Sequence, residues 1–354
     1  MKRTEYLLTI VVPIYNVERY LRQCLDSLVY QTVDDFKVIM VDDGSTDSSG
    51  SIAMEYAQKY AERFSYVRQE NAGQGAARNT GFLRVDTPYV EFLDSDDWLL
   101  PRTVECVLRT IRQENEDIDI LFMNPTVFDM ATGEYREWMD EGLARDIFNR
   151  KHITNPAVSP EMYALEPSVN RSVWRSDFLR KLDFAFPVGV KWEDVFPHFY
   201  LFHHARRCVF VPDVGFLYRV NSGSQITSMS GAAQLDIIPV FSQTLSYVRE
   251  NGWSERETVY MIQMLVSFVR WSMSMSNRQV RVQLTKGVHT LVKSIPRRSL
   301  KAYYRTYHVG RITRLYLWMM RSDLLYRWFA NRHREEYWRG HLERLKRFLR
   351  WGKR

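Results

Sequence analysis

"PYVEFLDSDDWLL" (88–100) runs from an apolar stretch straight into three carboxylates within four positions. The apolar part reads as a buried strand, and Asp94, Asp96 and Asp97 fall at its carboxyl end. At neutral pH the three repel one another, so the cluster costs stability unless a cation sits among them. Single aspartates are good helix caps, but capping does not account for three so close behind a strand. An Asp-x-Asp there suits Mn2+ or Mg2+, hard cations that take oxygen ligands and are usually completed by substrate phosphates. "PRTVECVLRTIRQENE" (101–116) follows as a helix, with its proline in the favoured first turn.

Working outward, the first hundred residues alternate strand and helix signals. "LLTIVVPIYN" (7–16), "FKVIMVDDGSTD" (36–47) and "FSYVRQ" (64–69) read as strands. "VERYLRQCLDSLVYQT" (17–32) places apolar residues at helical spacing, "DSSGSIAMEYAQKYAE" (47–62) opens on N-cap residues, and "GQGAARNTGFLRV" (73–85) begins a small-residue helix. Such alternation means an α/β fold with a mostly parallel, Rossmann-like sheet and flanking helices. Ligands of such sheets bind beyond the carboxyl ends of the strands. Three polar clusters fall at those ends: Tyr15-Asn16, Asp42-Asp43-Gly44-Ser45 and Asp94-Ser95-Asp96-Asp97. They are expected on one rim. Further on, 117–129 and 207–220 read as strands with a helix over 169–182 between them. From about 234 the pattern is helical.

Four ordered motifs carry a resemblance. "TIVVPIYNVERYLRQCLDSLVYQT", "VIMVDDGSTDSSG", "ENAGQGAARNTG" and "YVEFLDSDDWLLP" resemble glycosyltransferase family 2, strongly over residues 6–105 and more weakly to about 230. The resemblance implies a GT-A fold in 1–230, with a nucleotide-sugar half (1–105) and an acceptor half (106–230), followed by a helical region (231–354). It implies an inverting, metal-dependent transferase that uses a UDP-sugar. Pro13 and Tyr15 would line the uracil pocket, with Asn16 beside them, and Asp43, next to Asp42, would accept the base's N–H. Arg78 would lie near the nucleotide, Asp94 would face the ribose, and Asp96 would be the metal ligand. Asp97 completes the pattern. In "KWED", Asp194 would be the general base and Glu193 its acidic neighbour, while Tyr218 and Arg219 match a recurrent family position. The loops around 130–170 and 185–230 would select sugar and acceptor.

Each residue has a plainer reading beside this one. Asp42 and Asp43 could simply start a turn at Gly44, Arg78 could be a surface residue paired with a carboxylate, and Asp194 could be a helix-start acid. Trp174 and Trp192 suit stacking on acceptor sugars and core packing alike. His198, His203 and His204 lie past the base without the supporting partners that imidazole ligands need, so structural or solvent roles are expected.

Composition narrows the class. Apolar residues make up 45% of the chain and charged residues 26%, values of a globular protein. No run is long enough to span a bilayer, which argues against a processive, channel-forming polymerase and for addition of one sugar to a growing glycan or lipid-linked acceptor. The basic start "MKRTEYLLTIVVPIYN" reads as a first strand, not an export signal. Cys24, Cys106 and Cys208 fit no metal or redox spacing and are expected as buried thiols, in keeping with a cytoplasmic location. Residues 296–354 hold seventeen Lys/Arg against four Asp/Glu, net +13, leaving −6 on the other 295. In the basic, aromatic tail (311–354), Leu342, Leu345, Phe348 and Leu349 line one face of the last helix, and Arg344, Lys346, Arg347 and Arg350 lie largely elsewhere. The tail suits either an anionic membrane surface or a packed bundle with a solvated basic side. No nucleic-acid-binding module accompanies the charge, so no nucleic acid is expected. The rival function is a degenerate nucleotide-binding scaffold, whose mark would be a lost metal or base carboxylate. A phospho-receiver domain is disfavoured by the extra 200 residues and the missing Lys and Thr/Ser pattern.

Overall fold

The computed structural model describes residues 6–114, 117–211, 215–221, 231–324 and 326. They form two compact units, 1–229 and 230–354.

The first unit is built on an eight-stranded sheet. β1 (Leu8–Ile14), β2 (Phe36–Asp42), β3 (Phe64–Arg68) and β4 (Tyr89–Phe92) are separated in the chain by α1 (Glu18–Val29), α2 (Ser49–Lys59) and α3 (Gln74–Phe82). Their spatial order is β3-β2-β1-β4, all parallel. That is the doubly wound pattern expected from the alternation. β1 is buried along its whole length, although Pro13 lacks a ladder donor. Leu93 N donates to Val11 O at 3.0 Å, so the odd residues of β1 face β4. β4 ends at Phe92, and the missing N–H of Pro13 falls beyond it.

β5 (Trp98–Leu99) leaves this sheet for a second one and is followed by α4 (Thr103–Gln113). β6 (Ile120–Met123), β7 (Thr126–Asp129), β8 (Tyr135–Glu137), α5 (Glu141–Arg150), β9 (Ile153–Thr154), β10 (Ser172–Arg175), α6 (Ser176–Lys181), α7 (Val195–His204), β11 (Cys208–Val211) and β12 (Phe216–Val220) complete the unit. The first sheet continues β4-β10-β6-β11-β9, and the second runs β5-β12-β7-β8. The acidic loop 93–97 is therefore the crossover from one sheet to the other.

Three expectations change here. The helix read over 169–182 is a 3-10 turn, then β10, then α6 alone. Val173 and Trp174 fit a helical stripe and a strand equally well, and the space between β4 and β6 decides for an antiparallel strand. The single strands read over 117–129 and 207–220 are each two, divided between the sheets. They switch side by side: a Cβ on Gly215 would lie 2.1 Å from the Asn124 carbonyl oxygen. Finally, α4 begins at Thr103, so Pro101 precedes the helix.

The second unit comprises α8 (Ile237–Glu250), α9 (Glu255–Met275), α10 (Arg278–Ser294), α11 (Arg297–Thr306) and α12 (Arg311–Arg321). α9 starts on a capping box between Ser254 and Glu257. α9 packs on α11, and α10 on α8 and α12. Arg314 ties the last two helices together, its Nη2 donating to Tyr304 O at 3.2 Å. Among the described residues no helix is long and apolar enough to cross a membrane. Leu342, Leu345, Phe348, Leu349 and the cations Arg344, Lys346, Arg347 and Arg350 lie outside the described residues. All three cysteines are free and buried.

Candidate active site

The rim at the ends of β1 and β2 is held by short polar side chains. Asp43 N donates to Ile14 O at 2.8 Å, which brings the two strand ends together beside Tyr15, a half-exposed ring. Asn16 sits in the left-handed region at φ 48°, where Asn is tolerated. Its Oδ1 accepts from Thr46 N at 2.8 Å, and its own N–H donates to Ser45 Oγ. Gly44, at φ 76°, makes the turn between them.

The two neighbouring aspartates do different things. Asp42 is fully buried, and its oxygens accept from Ser45 N (2.8 Å), Tyr66 Oη (2.8 Å) and Arg68 Nη1 (2.5 Å). It supports the turn and is salt-bridged to Arg68. Asp43 accepts from Gln69 Nε2 (2.7 Å), Ala72 N (2.9 Å) and Gly73 N (2.8 Å). A carboxylate has about four lone-pair sites, so one acceptor position remains. These bonds also fix the start of α3.

From α3 two side chains reach the acidic loop. Gln74 and Arg78 are one turn apart and share a face; both donate to Asp94 Oδ1, Arg78 through Nη2 at 2.7 Å. The other end of Arg78, Nη1, donates to Glu193 Oε1 at 2.7 Å. Arg78 is 3% exposed and lies over the Phe186 ring. Burial works against its charge, but Asp94, Glu193 and Asp194 outweigh it and raise its pKa. It is thus no surface residue. It bridges the acidic loop and the "KWED" segment. α3 comes this close because it carries small residues: a Cβ on Gly81 would lie 2.3 Å from Val11 Cγ1, and one on Gly75 2.1 Å from Pro187 O.

Within the acidic loop the charges are uneven. Asp97 is buried; its oxygens accept from Asn170 Nδ2 (3.0 Å) and Arg219 N (2.9 Å). Burial, then Asp96 and Asp94, push its pKa up. Arg219 lies against the loop: its Nε donates to the Asp96 backbone oxygen at 2.8 Å, and its guanidinium stacks over Trp98 and Tyr20. The Asp96 carboxyl is half-buried and pushed up to about 6, by burial first and then by Asp94. Tyr218 packs edge-on against Trp138. Burial raises its phenol pKa, with Asp97, Asp94, Asp96 and Asp194 adding to the effect.

The "KWED" segment enters α7 through a strained residue. Trp192 has φ 63°, a conformation that costs a bulky residue of order 1–3 kcal/mol. Asp194 takes the N-cap position of α7, yet its side chain makes no capping bond. The helix-start explanation therefore does not account for it. Burial, then Glu193, raise its pKa well above the ordinary carboxylate range, with Arg78 opposing. His198 is buried with Nε2 3.3 Å from Tyr163 O, and burial pushes it down to about 3, so it is neutral at pH 7. Trp174 is a core residue of β10.

The structure thus joins Asp94 to Glu193, next to Asp194, through Arg78, and Asp96 to Asp97 and Tyr218 through Arg219 and its backbone, with Asp43 at the start of α3. Among the described residues no three His, Cys, Asp or Glu side chains group to hold a metal unaided. The sequence reading passed over Gln74 and Asn170. The spacing of Gln74 and Arg78 would have revealed the first, whereas Asn170 sits in the segment misread as helix.

Comparison with known proteins agrees. The model of the family described as "Glycosyl transferase family 2" matches residues 9–166. The putative glycosyltransferase EpsH of Bacillus subtilis is 30% identical over 249 residues, covering 69% of this chain and 70% of EpsH. The glycosyltransferase GlyA of Streptococcus pneumoniae serotype 4 is 32% identical over 228 residues, 61% of this chain but only 31% of GlyA. Among solved structures, residues 1–349 of TarS from S. aureus, in complex with UDP-GlcNAc, superpose with a TM-score of 0.66 at 21% identity, covering 83% of this chain and 82% of that one.

Proposed function

The chain belongs to glycosyl transferase family 2, and from that premise we propose that it moves a single sugar from a UDP-sugar to a hydroxyl of a growing glycan, with inversion at the anomeric carbon. The observation that carries this reading is the Arg78 bridge, which ties Asp94 on the donor side to Glu193 beside Asp194. A transferase needs those two sides against one bound molecule. The UDP-GlcNAc complex of TarS supports the choice of donor.

In this reading Pro13, Tyr15 and Asp43 receive the uracil, and Asp94 faces the ribose. Asp96 would hold Mn2+ or Mg2+, which when bound supplies Lewis-acid neutralisation of the departing diphosphate. Asp194 takes the proton of the acceptor hydroxyl, a step worth typically ~10²–10⁴-fold in rate. Its raised proton affinity suits that task. With one base and no protein nucleophile, attack comes from the face opposite the leaving group, so an α-linked donor gives a β-linked product. The scaffold alternative would be marked by a lost carboxylate, and Asp96 and Asp194 are both present.

The acceptor we assign to a glycan or lipid-linked chain at an anionic membrane surface. Two features support this. Between Arg297 and Arg321 there are seven Lys/Arg and no Asp/Glu. α12 buries Leu317 and Met320 but exposes Ile312, Leu315 and Trp318, an apolar edge among cations that suits a lipid interface. Equal flotation of the full chain and of one lacking 311–354 with anionic vesicles would remove the membrane from the account.

A thermal-shift panel of nucleotide-sugars with Mn2+ tests the donor, because a ligand of the native state raises the midpoint. A UDP-sugar is expected to give the largest rise. A larger rise with GDP- or CDP-sugars would reject the UDP assignment.

A further inference from the structure

Behind Asp194 lies a small cavity whose walls include Glu166, Ser168, Arg171, Trp174, Asp194 and His198. Two of the acids around it are matched with donors, and Asp194 and Glu166 are not. Glu193 has Arg78, and Asp140 has Arg171 Nη1 at 2.7 Å. Arg171 spends Nη2 on Asn124 Oδ1 at 3.3 Å. The Glu166 carboxyl is engaged by charge alone, without a side-chain hydrogen bond. Two N–H groups in the same walls, Arg171 Nε and Trp174 Nε1, are buried without partners. Such a cavity, with donors and carboxylates together, is the kind that holds bridging water.

We propose that Glu166 is a positioning residue for the base: across this cavity it sets how tightly Asp194 holds the proton taken from the acceptor. The proposal rests on the reading of Asp194 as that base. Two carboxylates facing one poorly solvated space disfavour double ionisation. Asp194 faces Glu193, Arg78, Glu166 and Tyr218; Glu166 faces Asp140 and Arg171; His198 is neutral. Arg78 offsets Glu193, whereas the Arg171 fork is bonded to Asp140 and Asn124. Asp194 therefore feels Glu193, opposed by Arg78, and beyond that pair the charge of Glu166 across the cavity. Burial, then Asp140, push Glu166 itself up to about 7, with Arg171 opposing. Burial and Glu193 make Asp194 a stronger base than a solvated aspartate, and Glu166 adds to the effect.

The test reads protonation directly. In full-length protein labelled with 13C at aspartate side-chain carboxyls, the Asp194 signal is assigned by its loss in Asp194→Asn and followed against pH. Glu166→Gln should move its midpoint to lower pH by about half a unit or more, and Glu166→Asp should restore most of the difference. A folded Glu166→Gln whose midpoint matches wild type overturns the proposal. Should that variant not fold, the wild-type curve decides. Coupled sites titrate in more than one step, so a single-step Asp194 curve also overturns it. Turnover by Asp194→Asn would instead refute the base assignment and leave this titration intact.

Discussion

The ends of β2 and the mouth of α7 both carry adjacent acids, and they treat them in opposite ways. At β2, Asp42 and Asp43 each accept three hydrogen bonds from the chain itself. Such bonds hold the rim in place, and Asp42 is further tied to Arg68. At α7, Asp194 makes no capping bond, and in the acidic loop Arg219 Nε donates to the Asp96 backbone oxygen. At Asp194 and Asp96 burial, then a neighbouring carboxylate, raises the proton affinity, which suits an acid to a cation or a substrate proton.

The largest effect should come from the acidic loop. Asp96→Asn should lower transfer by about 10³-fold or more, as several kcal/mol of charge stabilisation are lost, while thermal stability holds or rises. In wild type, Mn2+-dependent donor binding should weaken as pH falls through about 6, where a proton claims Asp96. Calorimetric titration from pH 5 to 8 checks both. If Asp96→Asn unfolds the protein, the division between scaffold and site is wrong.

Arg78→Met should come next. It leaves Asp94 and Glu193 without their shared cation, and breaking a buried pair costs about 3–5 kcal/mol. Urea unfolding measures this, and a loss below 1 kcal/mol would mean that the bridge holds nothing.

The smallest effect lies outside the site. Glu91, on β4 opposite Ile10 and Val173, is fully buried with both oxygens unpartnered, and burial alone pushes it up to about 8. The folded state thus binds a proton that the unfolded state has released between pH 4.5 and 8, so stability falls as pH rises through that window. Glu91→Leu should add about 1–3 kcal/mol above pH 8 and almost nothing at pH 4. An equal gain at both would assign the effect to packing.

How far the sequence could be read follows from local and distant causes. The order β1-α1-β2-α2-β3-α3-β4 was legible because each element keeps its own period and ends in its own turn residues, and the acidic strand ends marked the rim. β10 was not legible. Val173 and Trp174 become a strand only because β4 and β6 leave a gap, a tertiary fact. Asp42 and Asp43 look alike in sequence, and Tyr66 and Arg68, on a different strand, separate their roles. Glu166 carried no motif at all; its place depends on the packing of 166–174 against α7.

The claim beneath all of this is that donor-side and base-side carboxylates serve one bound molecule. Asp194→Asn tests it most directly, with UDP-sugar affinity in Mn2+ and transfer measured on the same preparation. The account predicts wild-type donor affinity and transfer lowered by about 10²–10⁴-fold. Turnover at the wild-type rate would contradict it.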